Sequence, residues 1–283
     1  NEKMAIVAAL FLAVNPFQIQ YSLEARMYTL GTALVLLSSY LLLRALESRK
    51  NLDWLYYGLA VAACFYTHYY LFFSIAAQGL YFLYYLWREK KWMLKGWAAY
   101  LLAAVLFLPW VPTLLTQITR VEGSYWITAP DRWSVPDTIW KMIFGGDGIN
   151  HPTLIAATLI VLGLIYLFFR ETKRPERWLI ILSLVIPFAG ALALSFKQAI
   201  YLDRYFVFAS LFLSVLIAGT IYLIPKYTTR RSLAAVFVVV SIFVFFKNWQ
   251  QQDVKNLFFN RSVDKKPGMA AAAAVVNQQA QPN

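Results

Sequence analysis

The chain has little charge and almost no cysteine, and both shortages limit what kind of protein it can be. Charged residues make up 14% of its 283 residues, and 26 basic residues outnumber 14 acidic ones. A soluble domain of this length needs more polar surface than that to cover one core. The single cysteine, Cys64, lies in an apolar run, so no disulfide framework or cysteine-based zinc cluster can form within the chain.

What the chain has in quantity is apolar sequence, which makes up 60% of its residues. One uncharged run, 54–87, has 34 residues and would form a helix of about 51 Å, although a bilayer core measures about 30 Å. We therefore predict a helical hairpin that turns near Thr67 and His68. We also expect Pro16 to end the first helix.

The other uncharged runs have lengths that suit single crossings, because a spanning helix needs about 20 apolar residues. With the hairpin they predict an all-α, polytopic transmembrane helix bundle of about nine spans. These runs are 4–20, 27–43, 96–119, 152–169, 178–196, 205–225 and 232–246.

Basic residues are concentrated in the short connections between the predicted spans. With nine spans these connections lie on one side, which the positive-inside rule assigns to the cytoplasm. We interpret the net charge of +12 as a topology signal of a multi-pass protein of the plasma (inner) membrane, and not as a nucleic-acid-binding surface. The residues concerned are Lys3, Arg44, Arg49, Lys50, Arg88, Lys90, Lys91, Lys95, Arg170, Lys173, Arg174, Arg177, Lys226, Arg230 and Arg231.

The same topology divides the chain into two regions. Residues 1–247 are predicted to form the transmembrane helical domain, with a long non-cytoplasmic loop over 117–150. Residues 248–283 are predicted to begin a non-cytoplasmic C-terminal region. Because the chain starts at Asn1 without a signal-peptide pattern, we expect it to be an interior piece of a longer protein.

The segment Tyr21-Ser-Leu-Glu-Ala-Arg-Met-Tyr28 places ionisable groups at a predicted membrane boundary. Such a group costs a few kcal/mol there unless it is paired or functional. Glu24 and Arg26 could simply cap the next helix and anchor it at the interface. The interpretation that we favour is an acid and a cation that face a cavity on the non-cytoplasmic side.

This segment, which follows an Asn15-Pro16 turn, resembles bacterial glycosyltransferases of the GT-C superfamily. It looks most like the branch related to dolichyl-phosphate-mannose–protein mannosyltransferases and the lipid A aminoarabinose transferase. Three weaker motifs occur in the order that these proteins show. They are Thr67-His68-Tyr69-Tyr70, Tyr125-Trp126-Ile127-Thr-Ala-Pro130 and Asp203-Arg204-Tyr205.

The resemblance implies an enzyme that moves a sugar from a polyprenyl-phosphate donor to a protein, lipid or glycan acceptor at the outer face of the membrane. A carboxylate would deprotonate the acceptor hydroxyl, and cations or a metal would stabilise the departing lipid phosphate. Glu24 is the candidate catalytic acid. The candidates for binding substrate and lipid phosphate are Arg26, Tyr28, His68, Tyr69, Arg204 and Tyr205.

One departure from the family concerns the catalytic base. The family carries its usual catalytic aspartate in a first outer loop, and this chain begins about where the third span would lie. Glu24 would then assist the base or bind a metal, and the chain given would be inactive on its own. No cofactor is certain. A divalent metal at Glu24 and His68 would need a third ligand.

Two readings from other classes stay open. A transporter or flippase of lipid-linked sugars should show inverted repeats and broken helices at the membrane midplane, and no such symmetry is visible in the sequence. A non-catalytic subunit of a cell-envelope complex is the other reading. Trp126, Trp133 and Trp140 could stack on sugars or anchor a loop helix at the interface. Asp147 is expected to form part of a turn.

Overall fold

The computed structural model describes residues 2–90, 93–122 and 127–252, and in these ranges it contains helices and no strands. The all-α prediction is therefore confirmed. The α-helices are α1 (Glu2–Ala13), α2 (Pro16–Ser22), α3 (Tyr28–Ser48), α4 (Asn51–Thr67), α5 (Leu71–Glu89), α6 (Leu94–Phe107), α7 (Val111–Glu122), α8 (Ser134–Phe144), α9 (His151–Glu171), α10 (Glu176–Ser195), α11 (Val207–Tyr222) and α12 (Tyr227–Gln252). Short 3-10 helices occupy Leu108–Trp110 and Asp203–Phe206.

Six of the described helical segments are long and apolar enough to cross a membrane, and the number rises to seven if α1 and α2 form one bent span. The expected count was nine. The difference lies in α4 and α5, which are separate helices at the predicted positions. With 17 residues α4 is short for a span, and Gln78, Arg88 and Glu89 reduce the hydropathy of α5.

The break predicted in the run 54–87 is present. α4 ends at Thr67, and His68 then adopts an extended conformation with φ −162° and ψ 134°. α5 begins three residues later at Leu71. The length argument therefore located this break correctly.

Proline acts differently from the prediction at the first break. α1 already ends at Ala13, and Pro16 begins α2 instead of ending α1. Asn15 caps α2, because its side chain accepts a hydrogen bond from the Gln18 N–H at 3.0 Å. Proline suits the first helical turn, where its missing N–H costs nothing. The result is a bend of 58° between the two helices.

The region after residue 96 also differs from expectation in detail. The segment predicted as one helix to residue 119 contains a 3-10 turn at Leu108–Trp110, next to Pro109 and Pro112, before α7 continues. The predicted loop 117–150 contains the end of α7 and all of α8. Its motif residues Tyr125 and Trp126 lie outside the described residues, as does the C-terminal region from residue 253 onward.

The helix ends that flank the four basic connections lie at one end of the bundle, which we call the basic end (49–50, the connection between α5 and α6, 172–175 and 223–226). Lys95 Nζ donates to the Arg49 carbonyl at 3.0 Å and joins the first two. The rings of Tyr84 in α5 and Trp178 in α10 lie 5.7 Å apart, which brings the second basic connection close to the third. Glu171, which ends α9 just before the third connection, and Pro225 of the fourth connection line the same apolar cavity.

A buried polar network holds four helices together inside the bundle. The Gln78 side chain of α5 donates to the Ser38 and Ser39 hydroxyls of α3 at 2.8 and 3.1 Å. Its oxygen accepts from the Tyr57 hydroxyl of α4 at 3.1 Å. The Tyr57 and Tyr100 hydroxyls lie 2.7 Å apart, which adds α6 to the network. Each of these polar groups therefore has a hydrogen-bond partner, which avoids the cost of burying it unpaired in an apolar environment.

Candidate functional site

The site lies opposite the basic end, at the end of the bundle formed by connections 23–27, 68–70 and 196–206, which we call the site end. The Gln18 side chain ties α2 to the start of α11 by donating to the Val207 carbonyl at 2.7 Å and to the Ser210 hydroxyl at 2.8 Å. Asn15 donates to the Met142 carbonyl of α8 at 2.8 Å. These bonds hold the segment that carries Glu24 against α8 and α11.

Glu24 and Arg26 lie in the connection between α2 and α3. Arg26 Nε is 3.8 Å from Glu24 Oε2, and the Glu24 side chain is only 14% exposed, against 54% for Arg26. Burial raises the pKa of the Glu24 carboxyl, although the charges of Arg26 and Arg204 oppose that shift. Among the described residues, the buried Oε1 of Glu24 has no hydrogen-bond partner. That oxygen is available to a ligand.

Arg204 and Tyr205 belong to the 3-10 helix that precedes α11. The Arg204 N–H donates to Asp203 Oδ1 at 2.7 Å within this short helix. The Arg204 guanidinium lies 5.5 Å from the centre of the Tyr205 ring. The two segments lie near each other although Glu24 and Arg204 are 180 positions apart, because the His68 ring is close to both Tyr28 and Tyr205 and the charge of Arg204 acts on Glu24.

His68 lies between these two segments. Its ring is 5.0 Å from Tyr205 and 6.1 Å from Tyr28, measured between centroids. Nδ1 accepts a hydrogen bond from the Tyr70 N–H at 3.1 Å. Burial, assisted by the charge of Arg204, lowers the pKa of His68 to about 4. The imidazole is thus neutral at physiological pH and carries its proton on Nε2, which makes it a hydrogen-bond donor.

Aromatic rings fill the space behind the charged groups. Tyr28 is almost fully buried at the start of α3, and its ring lies 5.4 Å from Tyr21. Tyr205 lies 4.7 Å from Tyr70. Of the candidate site residues, the structure therefore brings six together at the site end. These are Glu24, Arg26, Tyr28, His68, Arg204 and Tyr205.

Tyr69 takes part in a different group of contacts. Its hydroxyl donates to Gln117 Oε1 at 2.5 Å and accepts from Trp110 Nε1 at 3.1 Å. Consecutive side chains in a tight connection point in different directions, so the neighbour of His68 need not face the same partners. Tyr69 bonds α7 and the 3-10 helix before it, and its contacts do not place it with the charged groups of the site.

A cluster around Lys141 was not foreseen from the sequence. Lys141 Nζ lies 2.7 Å from Asp203 Oδ2, 2.8 Å from Asp137 Oδ2 and 3.0 Å from Asp147 Oδ1. Asp147, predicted as part of a turn, is in the connection between α8 and α9. The three carboxylates outweigh burial and raise the pKa of Lys141 above its ordinary value. Only the pair at positions 137 and 141 has a sequence signal, the i,i+4 spacing.

The described part of the chain contains no group of three His, Cys, Asp or Glu side chains that could hold a metal ion. The third ligand required beside Glu24 and His68 is therefore not present in that part. Of the candidate sugar-stacking tryptophans, Trp133 stacks on His151 at 3.9 Å and Trp140 lies 4.3 Å from Phe144. Trp126 lies outside the described residues.

The geometry provides two guanidinium groups, one neutral imidazole donor and one buried carboxyl oxygen in one place. Guanidinium groups bind phosphate through paired N–H donors. A carboxyl oxygen without a partner can accept a hydrogen bond from a hydroxyl group. The arrangement is therefore suited to a ligand that has both a phosphate and hydroxyl groups.

Comparison with known proteins agrees with this chemistry. Residues 1–115 match the family described as dolichyl-phosphate-mannose-protein mannosyltransferase. The matched part includes the Glu24 segment and the connection at His68 and ends well before Arg204. No curated protein and no solved structure matches the chain. This part of the chain is therefore similar to membrane glycosyltransferases of the GT-C type, and the apolar helices agree with a membrane protein of that kind.

Proposed function

We propose that the chain transfers a sugar from a polyprenyl-phosphate donor to an acceptor at the non-cytoplasmic face of the plasma membrane. The observation that carries this proposal is the convergence of Glu24, Arg26 and Arg204 at the site end. Two cations beside a buried acid are an expensive arrangement at a membrane boundary unless a ligand uses them.

The arginines have the clearest role in this reaction. The acceptor oxygen attacks the anomeric carbon, the bond from that carbon to the phosphate oxygen breaks, and negative charge develops on the departing lipid phosphate. Arg26 and Arg204 would stabilise this charge with donors that are already in place. His68, as a neutral donor, would add a hydrogen bond without adding charge.

Glu24 would act on the acceptor side. Its Oε2 faces Arg26, and its buried Oε1 is left to accept a hydrogen bond from an acceptor hydroxyl. The acceptor proton must pass to a base. The GT-C resemblance assigns that task to an aspartate in an earlier loop, so Glu24 is proposed to orient the acceptor and to hold Arg26.

The donor's tail needs an apolar surface within the membrane. A cavity of about 840 Å³ lies between α8, α9, α11 and α12, and aliphatic and aromatic side chains form most of its walls. Its chemistry suits an isoprenoid chain. The proposed orientation places the basic end in the cytoplasm, in agreement with the positive-inside rule.

The test is sugar transfer from a polyprenyl-phosphate donor by the full-length wild-type protein and by its Arg204→Lys variant. Lysine keeps the charge but loses the paired donors, so we expect donor use to fall about tenfold or more while folding is retained. Arg170→Lys, an exposed position at the basic end, is the matched control and should transfer at the wild-type rate. Equal rates for Arg204→Lys and wild type would reject this site.

A further inference from the structure

The apolar cavity between α8, α9, α11 and α12 reaches the basic end of the bundle. At that end its walls include Glu171, the last residue of α9, and residues 223–225 of the connection between α11 and α12. Ile160 of α9 and Val236 of α12 also line the cavity, and they are 61% and 58% exposed. The cavity is therefore open to the surroundings of the bundle, and a lipid chain can enter it from the bilayer.

Arg230 lies beside the basic end of this cavity. On α12 it is followed at helical spacing by Leu233 and Phe237, which both line the cavity, so the three residues share one side of the helix. The Arg230 guanidinium lies 4.5 Å from the centre of the Tyr222 ring and 5.6 Å from that of Tyr227. Tyr222 ends α11, immediately before the cavity-lining connection. These rings hold the guanidinium between the two helices.

The charge at this end of the cavity favours an anion. Arg230 is partly buried, whereas its neighbours Lys226 and Arg231 are exposed. Among the described residues that line the cavity, Glu171 alone is charged, and its carboxylate lies 2.6 Å from Arg170 Nε. The acidic charge is thus paired, and the surrounding basic residues leave a positive potential at the membrane boundary.

An arginine next to an apolar cavity suits a ligand that has both a phosphate and hydrocarbon chains. Cavities of several hundred Å3 with apolar walls and few polar groups bind such chains, and the polar groups fix their orientation. Arginine can stack on an aromatic ring and still donate to a phosphate through the edge of its planar group. A phospholipid has both parts of this chemistry.

We propose that this cavity is a binding site for an anionic phospholipid of the cytoplasmic leaflet, whose acyl chains lie along the apolar walls and whose phosphate binds Arg230. The inference rests on the proposed function only for the orientation of the basic end. Anionic lipids give the cytoplasmic leaflet its negative surface potential. Because the same walls suit the isoprenoid tail of the donor, the phospholipid and the donor are alternative occupants.

The experiment is a titration of the purified full-length protein in detergent with phosphatidylglycerol or with phosphatidylcholine of the same acyl chains. Native mass spectrometry measures the bound lipid. We expect phosphatidylglycerol to bind about fivefold more tightly, because one arginine near an anionic lipid contributes about 1 kcal/mol. Inorganic phosphate should not displace it, since a free phosphate lacks the chains that the cavity binds.

Two adjacent arginines provide a matched pair of variants. Arg230→Gln should lower the affinity for phosphatidylglycerol about fivefold, to that for phosphatidylcholine, because the charge beside the cavity is lost. Arg231→Gln removes the same charge at the next position of α12, which is exposed and points away from Arg230 by about 100° around the helix. Its affinity for phosphatidylglycerol should stay within about twofold of wild type.

Two adjacent valines test the cavity itself. Val240 lines the cavity, whereas Val239 is exposed and is not part of its walls. Val240→Trp takes up space that the acyl chains need, so it should weaken the binding of both lipids about threefold or more. Val239→Trp adds the same volume outside the cavity and should leave both affinities unchanged.

Several outcomes would overturn the inference. Equal binding of the two lipids by the wild type would reject an anionic site, and this comparison gives an answer even if a variant does not fold. Equal losses from Arg230→Gln and Arg231→Gln would show a diffuse attraction and no site at Arg230. A spectrum of dimers without bound lipid would assign the cavity to a second copy of the chain.

A competition separates this inference from the proposed function. Polyprenyl phosphate should displace phosphatidylglycerol, because both need the same cavity. If it binds without displacing the phospholipid, the donor's tail lies elsewhere and only the shared occupancy fails. If the protein does not prefer phosphatidylglycerol while Arg204→Lys still impairs sugar transfer, the phospholipid site fails and the donor site stands.

Discussion

His68 should make the protein sensitive to mild acid, and replacing it should remove much of that sensitivity. The folded chain holds His68 neutral because burial and the nearby charge of Arg204 lower its pKa from 6.5 to about 4. The unfolded chain therefore binds this proton more readily between these two values. The contribution of His68 to the free energy of unfolding is fully present above pH 6.5 and is lost as the pH falls towards 4.

The size of the effect follows from the two pKa values. Between pH 7 and pH 5, the linkage relation gives a loss of about 2 kcal/mol from this residue. His68→Gln cannot take up the proton, so its free energy of unfolding should fall by about 2 kcal/mol less than that of the wild type over this interval. The measurement is unfolding of the purified protein in detergent at a series of pH values.

A matched variant guards against a general loosening of the connection 68–70. Tyr69→Phe changes the neighbouring residue, whose hydroxyl bonds Gln117 and Trp110, without removing a histidine. Its pH dependence should follow that of the wild type even if its stability at pH 7 is lower. If His68→Gln and wild type lose stability in parallel from pH 7 to pH 5, the neutral, buried state of His68 is refuted.

Two further predictions concern the bundle and its orientation. Gln78→Leu removes three buried hydrogen bonds and should lower the free energy of unfolding by about 2 kcal/mol at about 0.6 kcal/mol per bond within a membrane; an unchanged unfolding transition would contradict the role of the network. For the orientation, a cysteine at Lys197 should react with an impermeant thiol reagent added from the non-cytoplasmic side, and one at Arg174 should not. The native Cys64 is buried and should stay silent, whereas the reverse labelling pattern would invert the proposed topology.

The fold could be predicted where length alone limits the possibilities. A 34-residue apolar run cannot be one span of a bilayer, and the helix does break after Thr67. The effect of Pro16 was harder to predict, because proline is compatible with both the end of one helix and the first turn of the next. The Asn15 cap decides in favour of the second, and only the hydrogen bond to the Gln18 N–H shows it.

The candidate site could be predicted only in part for a similar reason. Glu24 and Arg26 are neighbours in sequence, and an ion pair between them requires little folding. The association of His68 with Arg204 is a property of the packed helices. Tyr69 shows the limit of a motif-based assignment, because it adjoins His68 in the chain yet bonds α7 and the 3-10 turn before it.

The sequence by itself determined that this is a membrane protein of many helices, and it located most of the breaks between them, because these depend on local composition and length. The tertiary structure decided which polar groups share a site. Lys141 and Asp203 are 62 positions apart, and Gln18 and Val207 are 189 apart. Contacts of this kind depend on how helices pack against one another. No local pattern records that packing, so the Lys141 cluster was visible only in the folded chain.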